Sequence, residues 1–100
     1  MSISSRFSGK VAEIIIPGKF DISVRSQFRE NYEKALEGGY NQIHLNLSKV
    51  DYLDSAALGM MLLLQEKATT KGVEFEIVGA SENAKKVLEV ANFSKLLKVR

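Results

Sequence analysis

The chain has 100 residues, with 14 Lys and Arg against 12 Asp and Glu and a formal net charge of +2. It carries no cysteine and one histidine, His44, which excludes disulfides, thiolate metal centres and histidine-cluster metal sites. The length fits one domain whose core needs no covalent staple. Its charges are interspersed, so Lys85-Lys86 and the tail Lys95, Lys98 and Arg100 read as a solvated face and not a nucleic-acid site.

The first residues, Met1 to Arg6, lack the basic-then-apolar layout of a signal peptide. The longest apolar run, Ala56 to Leu64, is far below the ~20 residues that span a bilayer. A soluble, cytoplasmic protein is expected, and the absence of cysteine fits a reducing compartment.

Ile3 to Phe7 is predicted as an edge strand, closed by a hairpin turn at Ser8-Gly9-Lys10. Val11 to Ile16 is β-branched and almost continuously apolar, the pattern of a strand buried on both faces. Pro17-Gly18 ends it, and Lys19 to Ser23 is predicted as a loop, with Asp21 and Ser23 as candidate helix caps. Val24, Phe28, Tyr32 and Leu36 then repeat every four residues, joined by Ala35, as one face of a first helix. Gly38-Gly39 stops that helix.

Gln42 to Leu47 alternates polar and apolar, as a strand with one covered face does. His44 falls on its polar side and, without a histidine or cysteine partner, is expected to be a sheet-face residue and not a ligand. After a short turn a second helix is predicted from Ser55 to about Thr70. Its first half is apolar almost all round, so either it is deeply packed or one side meets a partner. Gly59 inside it costs about 1 kcal/mol against alanine. Two explanations are open: close packing within the domain, or a partner's backbone passing over it.

Lys71-Gly72 ends that helix, Val73 to Val78 is a further strand, and Ser81 is positioned to cap a third helix with Glu82 in its first turn. Ala84, Val87, Leu88 and Ala91 make its buried stripe, Asn92 closes it, and Leu96 to Val99 completes a last short strand. The order is two strands, helix, strand, helix, strand, helix and a final strand. Such alternation implies an α/β domain with parallel pairing.

Few enzyme constellations fit these residues. No G-x-x-x-x-G-K-[ST] loop is present, and Gly18, Gly38-Gly39 and Gly79 form no dinucleotide fingerprint. His44 alone makes no triad with Ser55. Asp54 follows a strand, as a phospho-accepting aspartate does in receiver domains, but the strand ending Ile15-Ile16-Pro17-Gly18 lacks the acidic pair that would hold magnesium. What stands out is Asp54-Ser55 at the start of the apolar helix. Either residue can accept from the free first-turn amides as a cap. A phosphate on Ser55 would also meet those amides and the positive end of the helix dipole.

Asp54-Ser55-Ala56-Ala57-Leu58-Gly59 resembles the STAS family of bacterial anti-sigma factor antagonists, whose usual pattern here is Asp-Ser-Ser-Gly-Leu-Gly. Gly18-Lys19-Phe20-Asp21 resembles the family's Gly-x-Leu/Phe-Asp loop, and Leu45-Asn46-Leu47-Ser48 its strand ahead of the phosphorylation site. The resemblance implies a single STAS-like α/β domain over residues 1–100, with a mixed sheet of about four to five strands and three main helices packed against it. It also implies partner switching. The unphosphorylated antagonist, a monomer, binds an anti-sigma factor that is often a serine kinase with a histidine-kinase-like ATP site. Phosphorylation on the serine after the aspartate, here Ser55, releases it, and a PP2C-type phosphatase reverses the mark. The chain would need no cofactor and have no catalytic residue of its own. Asp21, Asp54, Ser55, Ala56, Gly59 and Met60 would form the partner-binding face. Ala56 and Ala57 depart from the family's Ser-Gly, and Ala57 is expected to narrow the approach to Ser55. Two other readings are a STAS subunit without a phosphorylation cycle, as in lipid-transport complexes, and a small enzyme.

Overall fold

The computed structural model describes residues 3–91 and 98–99. A hairpin opens the chain, β1 (Ser4–Ser8) and β2 (Val11–Ile15). Gly9 turns between them at φ 58°, which a side chain would resist. β3 (Gly18–Phe20) and a single 3₁₀ turn (Ile22–Val24) lead to α1 (Arg25–Glu37). Then come β4 (Gln42–Asn46), β5 (Val50–Leu53), α2 (Ser55–Thr70), β6 (Glu74–Val78), α3 (Glu82–Val90) and β7 (Lys98–Val99).

The main sheet has the order β1-β2-β4-β6-β7, antiparallel at β1/β2 and parallel elsewhere. This fits the mixed sheet of about four to five strands with three helices that the family resemblance implies. Asn92, expected to close α3, lies outside the described residues, as do Leu96 and Leu97 of the expected last strand and the tail residues Lys95 and Arg100.

Two expectations change. First, β2 is not buried on both faces. Ala12, Ile14 and Ile16 are fully buried, while Val11, Glu13 and Ile15 are half-buried. The same alternation runs through β4, where Ile43 and Leu45 face the core, and β6, where Phe75 and Ile77 do. The opposite face is mixed, with Val11 and Ile15 beside polar groups. There Asn46 Nδ2 donates to Glu13 Oε2 at 3.0 Å, and His44 Nε2 lies 3.1 Å from Gln42 Oε1 and 3.8 Å from Glu76 Oε2. His44 is thus the sheet-face residue its sequence position implies. The apolar run of β2 reflects β-branched propensity on a half-covered face more than double burial.

Second, the presumed loop at Lys19 and the turn after Leu47 each contain a strand. β3 and β5 form a separate two-stranded parallel sheet, with Lys19 opposite Tyr52 and Phe20 opposite Leu53. Phe20 is fully buried and stacks in a tilted pair on Phe28 of α1, ring centroids 5.2 Å apart; Phe28 meets Tyr32 edge-on at 5.3 Å. Full burial of one such ring stabilises by up to about 3 kcal/mol, so this cluster fixes β3 to α1. Ser81 fixes β5 from the other side: its hydroxyl donates to Val50 O at 2.6 Å and accepts from Ala84 N at 3.2 Å. The cap expected of Ser81 therefore also ties α3 to the small sheet.

Candidate functional site

The β3/β5 register decides where the site lies. Phe20 pairs with Leu53 at the ends of β3 and β5, so the residues that follow, Asp21 and Asp54, leave the small sheet at the same end. Both have extended backbone, and both begin a helix. The two capping signals, 33 positions apart in sequence, are brought together by a sheet that sequence reading missed.

Asp54 is the cap of α2. Its Oδ1 accepts from Ala56 N at 3.1 Å and Ala57 N at 3.2 Å, and the Tyr52 hydroxyl reaches its Oδ2 at 3.5 Å. Ser55 is the first helical residue and is exposed. Among the described residues its hydroxyl has no hydrogen-bond partner. The two candidate roles thus separate: Asp54 takes the cap, and Ser55 keeps an exposed hydroxyl. Asp54 Oδ1 already holds the amides of Ala56 and Ala57, two of the first-turn donors that a phosphate on Ser55 would otherwise meet.

Asp21 caps the 3₁₀ turn and not α1, which starts at Arg25 without a side-chain cap. Its Oδ1 accepts from Ser23 Oγ at 2.5 Å and from Ser23 N at 3.0 Å. Those two hydrogen bonds, with a smaller contribution from Lys19, hold the Asp21 carboxyl below its ordinary value of 3.8 against a slight opposing effect of burial. The site therefore carries a carboxylate held in its charged form below the ordinary titration point of an aspartate.

The remaining expected residues divide. Ala56 is half-buried. Ala57 is fully buried, so its methyl points into the core and does not narrow the approach to Ser55. Met60 is also a core residue, 9% exposed, leaving only an edge of it at the surface. Gly59 is exposed, and a Cβ built there would meet nothing within 4 Å. That removes close packing within the domain as the explanation of this glycine. Residues that sequence reading missed are Ile22 and Tyr52, 58% and 47% exposed, one next to each aspartate cap. The signal available was a large apolar residue wedged between polar caps, in Asp21-Ile22-Ser23 and Asp51-Tyr52-Leu53-Asp54. Further along α2, Leu62 and Leu63 are exposed, so the all-round apolar helix does have an uncovered side. Among the described residues no group of three metal-ligating side chains converges, and no helix is long and apolar enough to cross a membrane.

The family profile described as "Mlab, STAS domain" matches residues 3–98. The chain belongs to the STAS domain family. A STAS-domain containing protein of Pseudomonas aeruginosa is 33% identical over 91 residues, covering 91% of this chain and 89% of that one. The anti-sigma-B factor antagonist of Staphylococcus aureus is 23% identical over 99 residues, covering 99% and 92%. Among solved structures, the Bacillus cell fate determinant SpoIIAA, an anti-sigma factor antagonist, superposes with a TM-score of 0.75 in both its unphosphorylated and its phosphorylated forms. It is 16% identical, with 99% of this chain covered and 87% and 91% of those chains. At that identity the likeness establishes the fold. The STAS fold thus accounts for both sheets and all three helices, and Asp54-Ser55 stands at the start of α2 within it.

Proposed function

We propose that this chain is an anti-sigma factor antagonist that works by partner switching, with Ser55 as its phosphorylated residue. The observation that carries the reading is the exposed Ser55 hydroxyl, left without a partner beside the Asp54 cap and the neighbouring Asp21. Exposed apolar side chains accompany the two caps, Ile22 directly after Asp21 and Tyr52 with its hydroxyl 3.5 Å from Asp54 Oδ2. Exposed apolar residues around a polar centre are what a protein interface uses. Asp21, Asp54, Ser55, Ala56 and Gly59 form the partner-binding face. Met60 contributes through its exposed edge, and Ile22 and Tyr52 supply its apolar anchors. The domain spans residues 1–100, acts as a monomer exchanging partners in the cytoplasm, and is not an enzyme.

In this reading the unphosphorylated chain binds an anti-sigma factor that is also a serine kinase with a histidine-kinase-like ATP site. A PP2C-type phosphatase removes the phosphate. The phosphate adds about −1.5 to −2 charges. With the Ala56 and Ala57 amides occupied, it stays on the surface beside two carboxylates and acts by repulsion. Two unit charges about 6 Å apart in water interact by roughly 0.7 kcal/mol. A doubly charged phosphate facing two partner carboxylates would therefore cost ~3 kcal/mol, about a hundredfold in affinity. Desolvation at the interface adds to that. The switch works without refolding of the domain.

The test is a paired capture. Ser55→Ala and Ser55→Asp chains are immobilised and exposed to lysate of the native organism. The reading expects an ATP-binding serine kinase to be retained by the Ala form and not by the Asp form. Equal retention of the same proteins by both forms would contradict it. A second reading, a STAS subunit of a larger complex such as one for lipid transport, without a phosphorylation cycle, is favoured by the description of the matched profile, which names Mlab and not an antagonist. Full activity of a Ser55→Ala strain would support that reading instead.

A further inference from the structure

α1 and α2 both start at the end of the small sheet, and a trough runs between them. It consists of two cavities, about 250 Å³ near the helix starts and about 530 Å³ beyond, which share Leu63 and Lys67. Tyr32, Leu36, Met60 and Leu63 give it an apolar lining, and Leu63 is 45% exposed. Its charge is graded along its length, purely basic at one end and net acidic at the other. The near end is lined by Arg25, Arg29 and Lys67 and by no carboxylate. The far end adds three carboxylates, Glu33, Glu37 and Glu66, and also holds the shared Lys67 and Lys71. In a chain whose charges otherwise alternate, this order is local.

The order also works against α1 itself. Arg25 is its first residue and Glu37 its last, each placed against the helix dipole, and its first turn contains no acid, while Lys34 in the last turn offsets part of the effect of Glu37. Arg29 and Glu33 form an exposed ion pair at 3.4 Å, which contributes little to stability. The charge pattern therefore weakens the element that carries it, while it suits an outside helix of ordinary polarity. Such a helix has acids in its first turns and bases in its last, and would lie alongside α1 with its acids over Arg25 and Arg29.

We infer that this trough docks an amphipathic helix of a protein partner, acidic at its N-terminal end and basic at its C-terminal end, running parallel to α1. Apolar residues at i, i+3/i+4 and i+7 of that helix would sit on Leu63 and the edges of Met60 and Tyr32. The site goes beyond the Ser55 switch and does not depend on it, since Ser55 does not line the trough.

The probe is a stapled 14-residue peptide with leucines at that spacing, glutamates in its first two turns, lysines in its last two, and a nitroxide at its N-terminus. It is titrated into the isotope-labelled full chain and followed by NMR. The inference expects shifts along α1 and at Leu63 and Lys67, and selective broadening of the Arg25 and Arg29 amides. It also expects binding at least about tenfold weaker to Arg25→Glu/Arg29→Glu, and to wild type for a peptide of the same composition with alternating charges. Both substituted residues are exposed, and circular dichroism confirms the variant's fold. Equal affinity for wild type and variant, or broadening at the Glu37 end, would overturn it. So would absence of any shift in α1 and α2. Binding of the chain to phosphatidylglycerol vesicles through the same arginines, without peptide binding, would assign the basic end to a membrane and also overturn it.

Discussion

Asp54 and Ser55 are adjacent, yet their substitutions should have opposite kinds of consequence. Asp54 satisfies two amides of α2, so Asp54→Ala should cost about 1 kcal/mol. That is a fall of roughly 0.5–1 M in the urea midpoint for a domain of this size. Ser55→Ala removes an exposed hydroxyl without a partner and should leave the midpoint within about 0.5 kcal/mol of wild type. Any functional effect of Ser55→Ala then has to come from chemistry at that oxygen. Gly59 is the complementary case. Its Cβ would meet open space, so Gly59→Ala should stabilise the chain by up to about 1 kcal/mol while weakening capture of the partner. Urea midpoints and the paired capture measure the two effects separately. Asp21 makes a pH prediction. Its folded carboxyl titrates below 3.8, so its contribution to stability is present above that value and is lost as pH falls through the folded pKa. Between about pH 5 and pH 3, Asp21→Asn should lose less stability than wild type does.

The two-stranded β3/β5 sheet is the element on which the site depends, and it was the least legible in the sequence. Its strands are three and four residues long, too short for a period-two pattern to register. Pro17-Gly18 reads as a break, although Gly18, at φ 66°, opens β3. Asp51-Tyr52-Leu53-Asp54 reads as a turn because acids flank it, although Leu53 is buried opposite Phe20. By contrast α1, α2 and β6 were legible to within a residue, because each carries a long or strictly alternating pattern. The spacing of Asp21 and Asp54 gives no physical hint that they share a face; the family resemblance implied it, and the Phe20/Leu53 register supplies the reason. Leu53→Ala should therefore cost about 2–5 kcal/mol by leaving a cavity. It should also loosen both caps together, seen as faster hydrogen exchange at Ser23 and at Ala56 and Ala57. Asp54→Ala should raise exchange only at the last two.

At the scale of the molecule, the structure is a sheet with helices, 20 Å through its thinnest direction, in which the Asp54-Ser55 face and the α1/α2 trough start from the same end. Phosphate on Ser55 would bring a net charge of +2 to near zero, with the whole change placed beside Asp21 and Asp54. The core lies beneath α2, with Ala57, Met61 and Leu64 fully buried, so a phosphate there would change the surface and leave the packing alone. The phosphorylated chain should unfold with an unchanged m-value. Its midpoint should fall only slightly, through repulsion between exposed charges that salt screens. The motif at Ser55 was legible in the sequence because a polar pair opens an otherwise apolar helix. The apolar border at Ile22 and Tyr52 was not, since exposure is a property of the folded surface. The central claim, that Ser55 is the switch, is tested most directly by mapping phosphate by mass spectrometry after incubating purified chain with magnesium-ATP and lysate of its own organism. Phosphate on Ser55 of wild type, absent from Ser55→Ala, is the predicted result. No phosphate on Ser55, in lysate shown to contain active serine kinases, would contradict the account.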